Sequence, residues 1–418
     1  MKLYFAFSNS ILFNQTNLQA NLESEKGDVL VWSTPPIDWN LVHAVEKSGI
    51  FKHVWYLERP KIIEGKKFKK FASKRLIQNF YNQYLDRILS GQKYDEFVVA
   101  GFWNDVLYIV NYLLRKYPQI KISICEEGLL NYYCGDEFQN LYYMVQNNRK
   151  QNLKAWLMGG TTFKHVQKKI NAVYLLAPDF LKSDVRSPIY TLPSLSNTKE
   201  EFKTFIKDVF DATSIDIYQQ YAARNFYYIA SSWNRNYDPV DIGPSLLECI
   251  QNIVPPNKLV IKTHTNATVH RKNFAKKCDK EIFVDRNVYL FEILCNYLDL
   301  TDKIFILRNS SVALNLIQFF EKQPIFIFTH RLYSRYHYGM DNCGDVYVED
   351  LKKHVTNPER IFVPNSMSDF ETMLFNLSHQ YCGGIKTQKM LENDADFESD
   401  TILSDLKKWL EENITTKN

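Results

Sequence analysis

The segment KISICEEGLLNYY, Lys121–Tyr133, reads as a short buried strand that ends on two adjacent carboxylates and a glycine. Ile122 and Ile124, with the small Ser123 and Cys125 between them, make a nearly continuous apolar run, as expected of a strand covered on both faces. KLYFAFS (2–8), DVLVWST (28–34), HVWYLE (53–58) and EFVVAGF (96–102) read the same way. Helical stretches such as WNLVHAVEKSG and FWNDVLYIVNYLLRKY lie between them. Alternating strands and helices of this kind predict an open parallel sheet with right-handed crossovers.

The pattern lapses from about residue 135 to 173, where the chain is polar, basic and aromatic, and returns with AVYLLAPDFL (172–181). VRSPIYTLPSLSNTKEEF (185–202) reads as a linker ending at a helix start, with Thr198/Glu201 or Asn197/Glu200 as the capping box. A second series follows in FYYIASS, KLVIKTH, EIFVD, KIFILRNSS, PIFIFT and RIFVP, and SDTILSDLKKWLEEN (399–413) reads as a terminal helix. The fold class expected is therefore α/β, with two facing Rossmann-like domains, each built on a parallel sheet. The expected boundaries are 1–190, 200–375 and a helical segment over 376–418.

The totals agree with two packed interiors. The chain has 418 residues, 45% of them hydrophobic and 15% aromatic, with only 14 Gly and 14 Pro. Fifty-one basic against 47 acidic side chains leave a net charge of +4, too balanced to imply nucleic-acid binding. The stretch Arg59–Arg75 nevertheless carries eight Lys/Arg and one Glu, which suits either a solvated helix face or peripheral contact with an anionic membrane or polymer. Seven cysteines without CxxC spacing point to small core residues rather than a disulfide framework or zinc site. The opening MKLYFAFSNSILFNQ lacks the apolar run of a signal peptide, and no stretch is long enough to span a bilayer, so a cytoplasmic location is expected.

Open α/β sheets bind ligands at the carboxyl ends of their strands, and that rule selects the candidate site residues. Side chains alternate along a strand, so one of Glu126 and Glu127 can aim into the crevice while the other braces a loop or neighbouring backbone. Gly128 permits a tight turn and close approach of a ligand. A carboxylate placed there suits a general base, and the pair equally suits a helix N-terminus. VIKTHTN ends a strand with Lys262 and His264, a cation and an imidazole fit for a phosphate. IFILRNSSVALNL ends a strand at Asn309 and starts a helix at Ser310-Ser311, an anion site or a plain cap. Ser232 and Asn9 follow the first strands of the two series and are candidates for substrate contact. P-loop and GxGxxG fingerprints are absent, and no acidic cluster is placed to hold a metal.

Taken in order, Glu126-Glu127-Gly128, His264-Thr265 and Ser310-Ser311 resemble the three motifs of bacterial GT-B sialyltransferases: an acidic pair with glycine, His-Pro, and Ser-Ser or Ser-Thr. Glycosyltransferase family fifty-two and the capsular polysialyltransferases are the families resembled. Thr265 stands where they have proline, and residues 136–170 and the C-terminal segment have no counterpart. The resemblance implies an inverting, metal-independent transfer of sialic acid from CMP-sialic acid to a hydroxyl of a cell-surface or capsular glycan, with no cofactor. It implies that Glu126 or Glu127 is the base, with Glu126 preferred. His264 would act on the CMP phosphate, which Ser310 and Ser311 would hold. The competing readings are a GT-B transferase with another donor, CMP-Kdo or a nucleotide-activated polyol phosphate, and a non-catalytic polysaccharide-binding or assembly protein.

Overall fold

The computed structural model of the chain describes residues 1–418 apart from 33–36, 59–68, 103, 129–131, 133–160, 183–184, 231–241, 264–277, 334–342 and 383–418. Ser232, His264, most of the basic stretch before residue 69 and the expected terminal helix lie outside the described residues.

The chain divides into two compact units. Unit 1 holds residues 1–213 together with the short segments Val288–Ile293 and Gln318–Glu321, and unit 2 holds the remainder. Phe13 shows why the second short segment belongs to unit 1: its ring meets Phe319 edge-on at 5.1 Å and lies 5.5 Å from Phe202. The expected boundary near residue 190–200 thus moves to 213–214, because the helix Glu200–Asp211 packs on unit 1. The expected break at 376 falls inside one helix, Met367–Cys382.

Unit 1 contains β1 (Lys2–Ala6), β2 (Asp28–Trp32), β3 (His53–Leu57), β4 (Glu96–Val99), β5 (Lys121–Cys125), β6 (Ile170–Leu175) and β7 (Ile189–Thr191). They form one parallel sheet in the order β3-β2-β1-β4-β5-β6-β7. Unit 2 contains β8 (Phe226–Ile229), β9 (Leu259–Lys262), β10 (Phe283–Asp285), β11 (Ile304–Leu307), β12 (Ile325–Phe328) and β13 (Ile361–Phe362), in the order β10-β9-β8-β11-β12-β13. Both sheets run 3-2-1-4-5-6 in their own counting, the Rossmann order, so each has its topological switch point between its first and fourth strands. Two such parallel sheets in one chain are the α/β, GT-B class expected from the sequence. Strands β1, β4, β8, β9, β11 and β12 are buried along almost their whole length, as their unbroken apolar runs require.

Strand β7 lies in the stretch expected to be a linker. It is an edge strand with all three residues exposed, the place where a sheet tolerates flanking prolines such as Pro188. The expected capping boxes do not form: Thr198 Oγ1 donates to Leu195 O, and the backbone N–H of Lys199, the helix cap, is accepted by Asn21 Oδ1 at 2.6 Å.

The helix Asn9–Leu22 is the least ordinary element of unit 1. Asn14, Gln15, Thr16, Asn17 and Gln19 are all buried on it. Their amides bond backbone: Asn14 to Glu126 O, Gln15 to Phe5 O and Val98 O, Asn17 to Pro193 O, and Gln19 to Glu25 O and Gly27 N–H. Buried amides are tolerated because they are paired, and of their buried polar atoms only Gln15 Oε1 meets no donor among the described residues. Cys125, Cys249 and Cys295 are buried among apolar side chains, the core role expected of them. No helix among the described residues is long and apolar enough to cross a membrane.

Candidate functional site

The carboxyl end of β5 carries the acidic pair. Backbone pairing continues one residue past the strand, where Glu126 N–H donates to Tyr174 O at 3.0 Å, and this fixes the direction of the side chain. Glu126 has no exposed surface. One carboxylate oxygen accepts the Tyr132 hydroxyl and the Leu176 N–H, the latter at 2.6 Å, while the Tyr132 hydroxyl itself accepts the Ala177 N–H at 3.1 Å. The other oxygen is buried and meets no donor among the described residues. Burial pushes the Glu126 carboxyl up to about 7, against the two hydrogen bonds that favour its charged form.

Glu127 is half-buried, and burial pushes its carboxyl up to about 7 as well. Gly128 follows at φ 148°, inside the region that favours glycine, so the chain turns there in a way a side chain would resist. The two carboxyls thus differ in burial and bonding, as alternation along the strand leads one to expect. Glu126, preferred from the sequence as the base, is enclosed and ties β5 to the Leu176–Ala177 backbone. Glu127 is the more exposed of the two carboxyls.

At the switch point of the same sheet, Ser8 caps the helix Asn9–Leu22 by accepting Ile11 N–H at 3.3 Å. Asn9 Oδ1 accepts Asp38 N–H at 2.8 Å, which ties the chain leaving β1 to the helix after β2. Asn9 thus sits at the expected edge with its amide oxygen already used in fastening the loop.

Unit 2 gathers its candidates at the carboxyl ends of β9, β11 and β12. Lys262 does not present a free cation. It is buried, its ammonium donates to Asn287 O at 2.7 Å and lies 3.6 Å from the fully buried Asp285, and Asp285 also accepts Tyr221 OH at 2.7 Å. The expectation that Lys262 binds a phosphate is corrected on this ground: its charge is neutralised inside the fold. Asp285→Ala is expected to lower stability by about 3–5 kcal/mol, since it leaves the Lys262 ammonium buried without its counter-ion. Chemical denaturation checks this, and Lys262→Met in the same chain should recover part of the loss.

β11 delivers Arg308, Asn309 and Ser310 to the switch point beside β8. The Arg308 guanidinium lies 3.9 Å over the Tyr333 ring. Asn309 Oδ1 is buried with no hydrogen-bond partner among the described residues. Ser310 caps the following helix, its hydroxyl accepting Val312 N–H at 3.2 Å, and its carbonyl accepts Tyr347 OH at 3.0 Å. Ser311 opens that helix, which passes into a π-helical turn over Asn315–Phe319. Both serines are half-buried.

The neighbouring strand β12 ends in residues that the sequence reading left out. His330 is 1% exposed and its Nε2 lies 2.8 Å from Asp345 Oδ1. Arg331 Nε donates to the same oxygen at 2.8 Å and its Nη1 to Asn365 Oδ1 at 2.6 Å. Gly344 lies against the His330 imidazole so closely that a Cβ would overlap the ring. The carboxyl-end rule, applied to PIFIFTHR as it is to the other strands, selects His330 and Arg331. Asp345 carries no local signal, because fifteen residues separate it from its partner.

No protein-family model matches the chain, and no curated protein matches it. Among solved structures, it is similar to a UDP-GlcNAc 2-epimerase from Neisseria meningitidis bound to UDP-GlcNAc, at 14% identity over 94% of this chain and 100% of that one, with a TM-score of 0.46. It is also similar to the UDP-GlcNAc 2-epimerase of Methanocaldococcus jannaschii (12% identity, 92% and 93% of the chains, TM-score 0.45) and to a spinosyn rhamnosyltransferase complexed with thymidine diphosphate (8%, 92% and 92%, TM-score 0.45). Identities of this size say nothing of shared chemistry, and the fold stands on the strand order of the two sheets.

Proposed function

We propose that the chain is an inverting glycosyltransferase that moves a sugar from a nucleotide donor to a hydroxyl of a glycan acceptor, with Glu127 as the general base. The observation that carries this reading is the Glu127 carboxyl itself: half-buried at a strand's carboxyl end, beside a glycine turn, and titrating near 7. A base of that pKa is about half ionised at pH 7 and strong enough to take a hydroxyl proton as the bond forms. The acceptor oxygen attacks the anomeric carbon, its proton passes to Glu127, and the bond from that carbon to the phosphate oxygen breaks with its electron pair leaving on the nucleotide.

In unit 2, Arg308, Asn309, Ser310 and Ser311 are assigned to the departing phosphate. Arg308 supplies a charge and the Asn309 amide nitrogen a donor, while the unpartnered Asn309 oxygen is left to accept from an N–H or hydroxyl of the nucleotide. His264, outside the described residues, is assigned as donor to the leaving phosphate oxygen. The donor we favour is CMP-sialic acid, supported by the order Glu126-Glu127-Gly128, His264, Ser310-Ser311. Metal independence and a cytoplasmic location belong to the same reading.

The test is nucleotide release from CMP-sialic acid, CMP-Kdo and UDP-GlcNAc, in EDTA, with and without galactose- and sialic-acid-terminated acceptors. Acceptor-stimulated release of CMP from CMP-sialic acid supports the full reading, and release from another donor alone keeps the transferase and replaces the sugar. Absence of release from every donor, with no nucleotide binding by calorimetry, overturns it in favour of a polysaccharide-binding protein.

A further inference from the structure

The helix Trp39–Ser48, which follows β2, buries Leu41, Val42, Ala44 and Val45. Its opposite face carries Trp39, His43 and Glu46 at positions i, i+4 and i+7, one exposed stripe. Trp39 is 44% exposed, unusual for so large an apolar group. The stripe meets Tyr56 of β3. The Trp39 and Tyr56 rings are 5.6 Å apart at 39°, and the His43 ring lies 6.1 Å from that of Trp39 at 37°. Glu46 holds the group in place: one oxygen accepts Tyr56 OH at 2.5 Å and the other lies 3.2 Å from His43 Nδ1.

We infer that Trp39 and Tyr56 form a stacking platform for a pyranose ring of an oligosaccharide acceptor, a subsite separate from the one at Glu127. The inference rests on the transferase reading for the identity of the ligand as acceptor. The exposed Trp39 ring beside the half-buried Tyr56 ring, fixed by a carboxylate and flanked by an imidazole, matches the two sides of a sugar. The C–H face of a ring such as galactose packs on the aromatics, and its hydroxyls meet Glu46 and His43. A protein or lipid partner calls for a continuous apolar patch, and here carboxylate and imidazole edge the rings.

Strand register places the platform on the ligand-binding edge. Tyr56 pairs with Val31, Val31 with Ala6, Tyr4 with Val98 and Val99 with Ile124, so Tyr56 is level with Cys125, just before the acidic pair. β3 and β5 are four strand steps apart in the sheet, about 19 Å at the usual spacing of about 4.8 Å. An acceptor of one or two sugars seated at Glu127 cannot reach Trp39, whereas a longer chain lying along the sheet edge can.

The experiment compares lactose with para-lacto-N-neohexaose, a linear galactose-terminated hexasaccharide long enough to span the four strand steps, as acceptors for wild type, Trp39→Ala and Trp39→Phe. Trp39→Ala is expected to raise KM for the hexasaccharide about three- to tenfold, the loss of one aromatic contact, with KM for lactose and donor unchanged. Trp39→Phe should keep most of the affinity. Tryptophan fluorescence titrated with the hexasaccharide in the absence of donor gives an independent reading, and the change seen in wild type should be missing from Trp39→Phe. Equal effects on both acceptors, or no Trp39-dependent change in either measurement, overturn the platform. A Trp39-dependent titration without turnover of any donor keeps the sugar platform and removes the transferase; turnover without that titration does the reverse.

Discussion

Glu127→Gln should lower turnover by about 10²–10⁴-fold, the usual contribution of a positioned base, while nucleotide binding measured by calorimetry stays as in wild type. Gln keeps the size of the side chain and its capacity to accept a hydrogen bond, so a loss of turnover isolates the proton transfer. The pH dependence gives a second, sharper check. A base works only when ionised, and the folded pKa of Glu127 is about 7. In wild type kcat/KM should therefore fall about tenfold per pH unit below about pH 7 and level off above it. Glu127→Gln should be flat across the same window. Glu126→Gln should keep the limb, because Glu126 is enclosed by Tyr132 and the Leu176 backbone. A wild-type profile flat through pH 7, or a Glu127→Gln enzyme retaining more than a tenth of the turnover, removes Glu127 from the role.

The second large effect concerns stability. Glu126→Ala deletes the acceptor shared by the Tyr132 hydroxyl and the Leu176 N–H in a site without solvent. Each donor that loses its acceptor there costs ~1–3 kcal/mol, so a loss of about 3 kcal/mol is expected in the denaturant midpoint. The dependence on pH has a definite sign. Both acids have folded pKa values near 7, above the ordinary 4.5. Below 4.5 they are protonated in folded and unfolded chains alike. Between 4.5 and 7 the unfolded chain gives up protons that the folded one keeps, so their contribution to stability declines as pH rises and is constant above about 7. Glu126→Gln removes the Glu126 share of that slope. Its Tm, relative to wild type, should be better at pH 8 than at pH 5, and parallel Tm curves for the two proteins would falsify the assignment.

Much of the frame is legible in the sequence because parallel strands buried on both faces announce themselves. IFIL and IFIF are wholly apolar, DVLVW and LVIK are so but for one charged end residue, KISIC but for Lys121 and Ser123, and each is a strand. Strand β7 escapes because it is an exposed edge, where the apolar signal has no cause to appear. The helix Asn9–Leu22 escapes for the opposite reason: it is buried but carries amides on its buried faces, so no hydropathy pattern marks it. At the site, alternation along β5 predicts that one acid braces and one is available, but not which, since that depends on Tyr132 and Leu176. Lys262 reads as a phosphate cation because Asp285, its counter-ion, lies on another strand. His330 and Asp345 form a pair that only folding brings together.

The amide-bearing helix Asn9–Leu22 carries a consequence for how such a chain changes over generations. Asn14, Gln15, Asn17 and Gln19 recognise backbone carbonyls, which every residue offers alike, and in one case an N–H, which only proline lacks. The strands and turns they grip can exchange one side chain for another without loosening that grip. The amides cannot be exchanged, because each one lost strands a buried partner. Inheritance in this unit is therefore expected to be lopsided: the apolar sheet is free to drift while a handful of polar helix positions stand still, and kinship with distant homologues is to be sought in those amides.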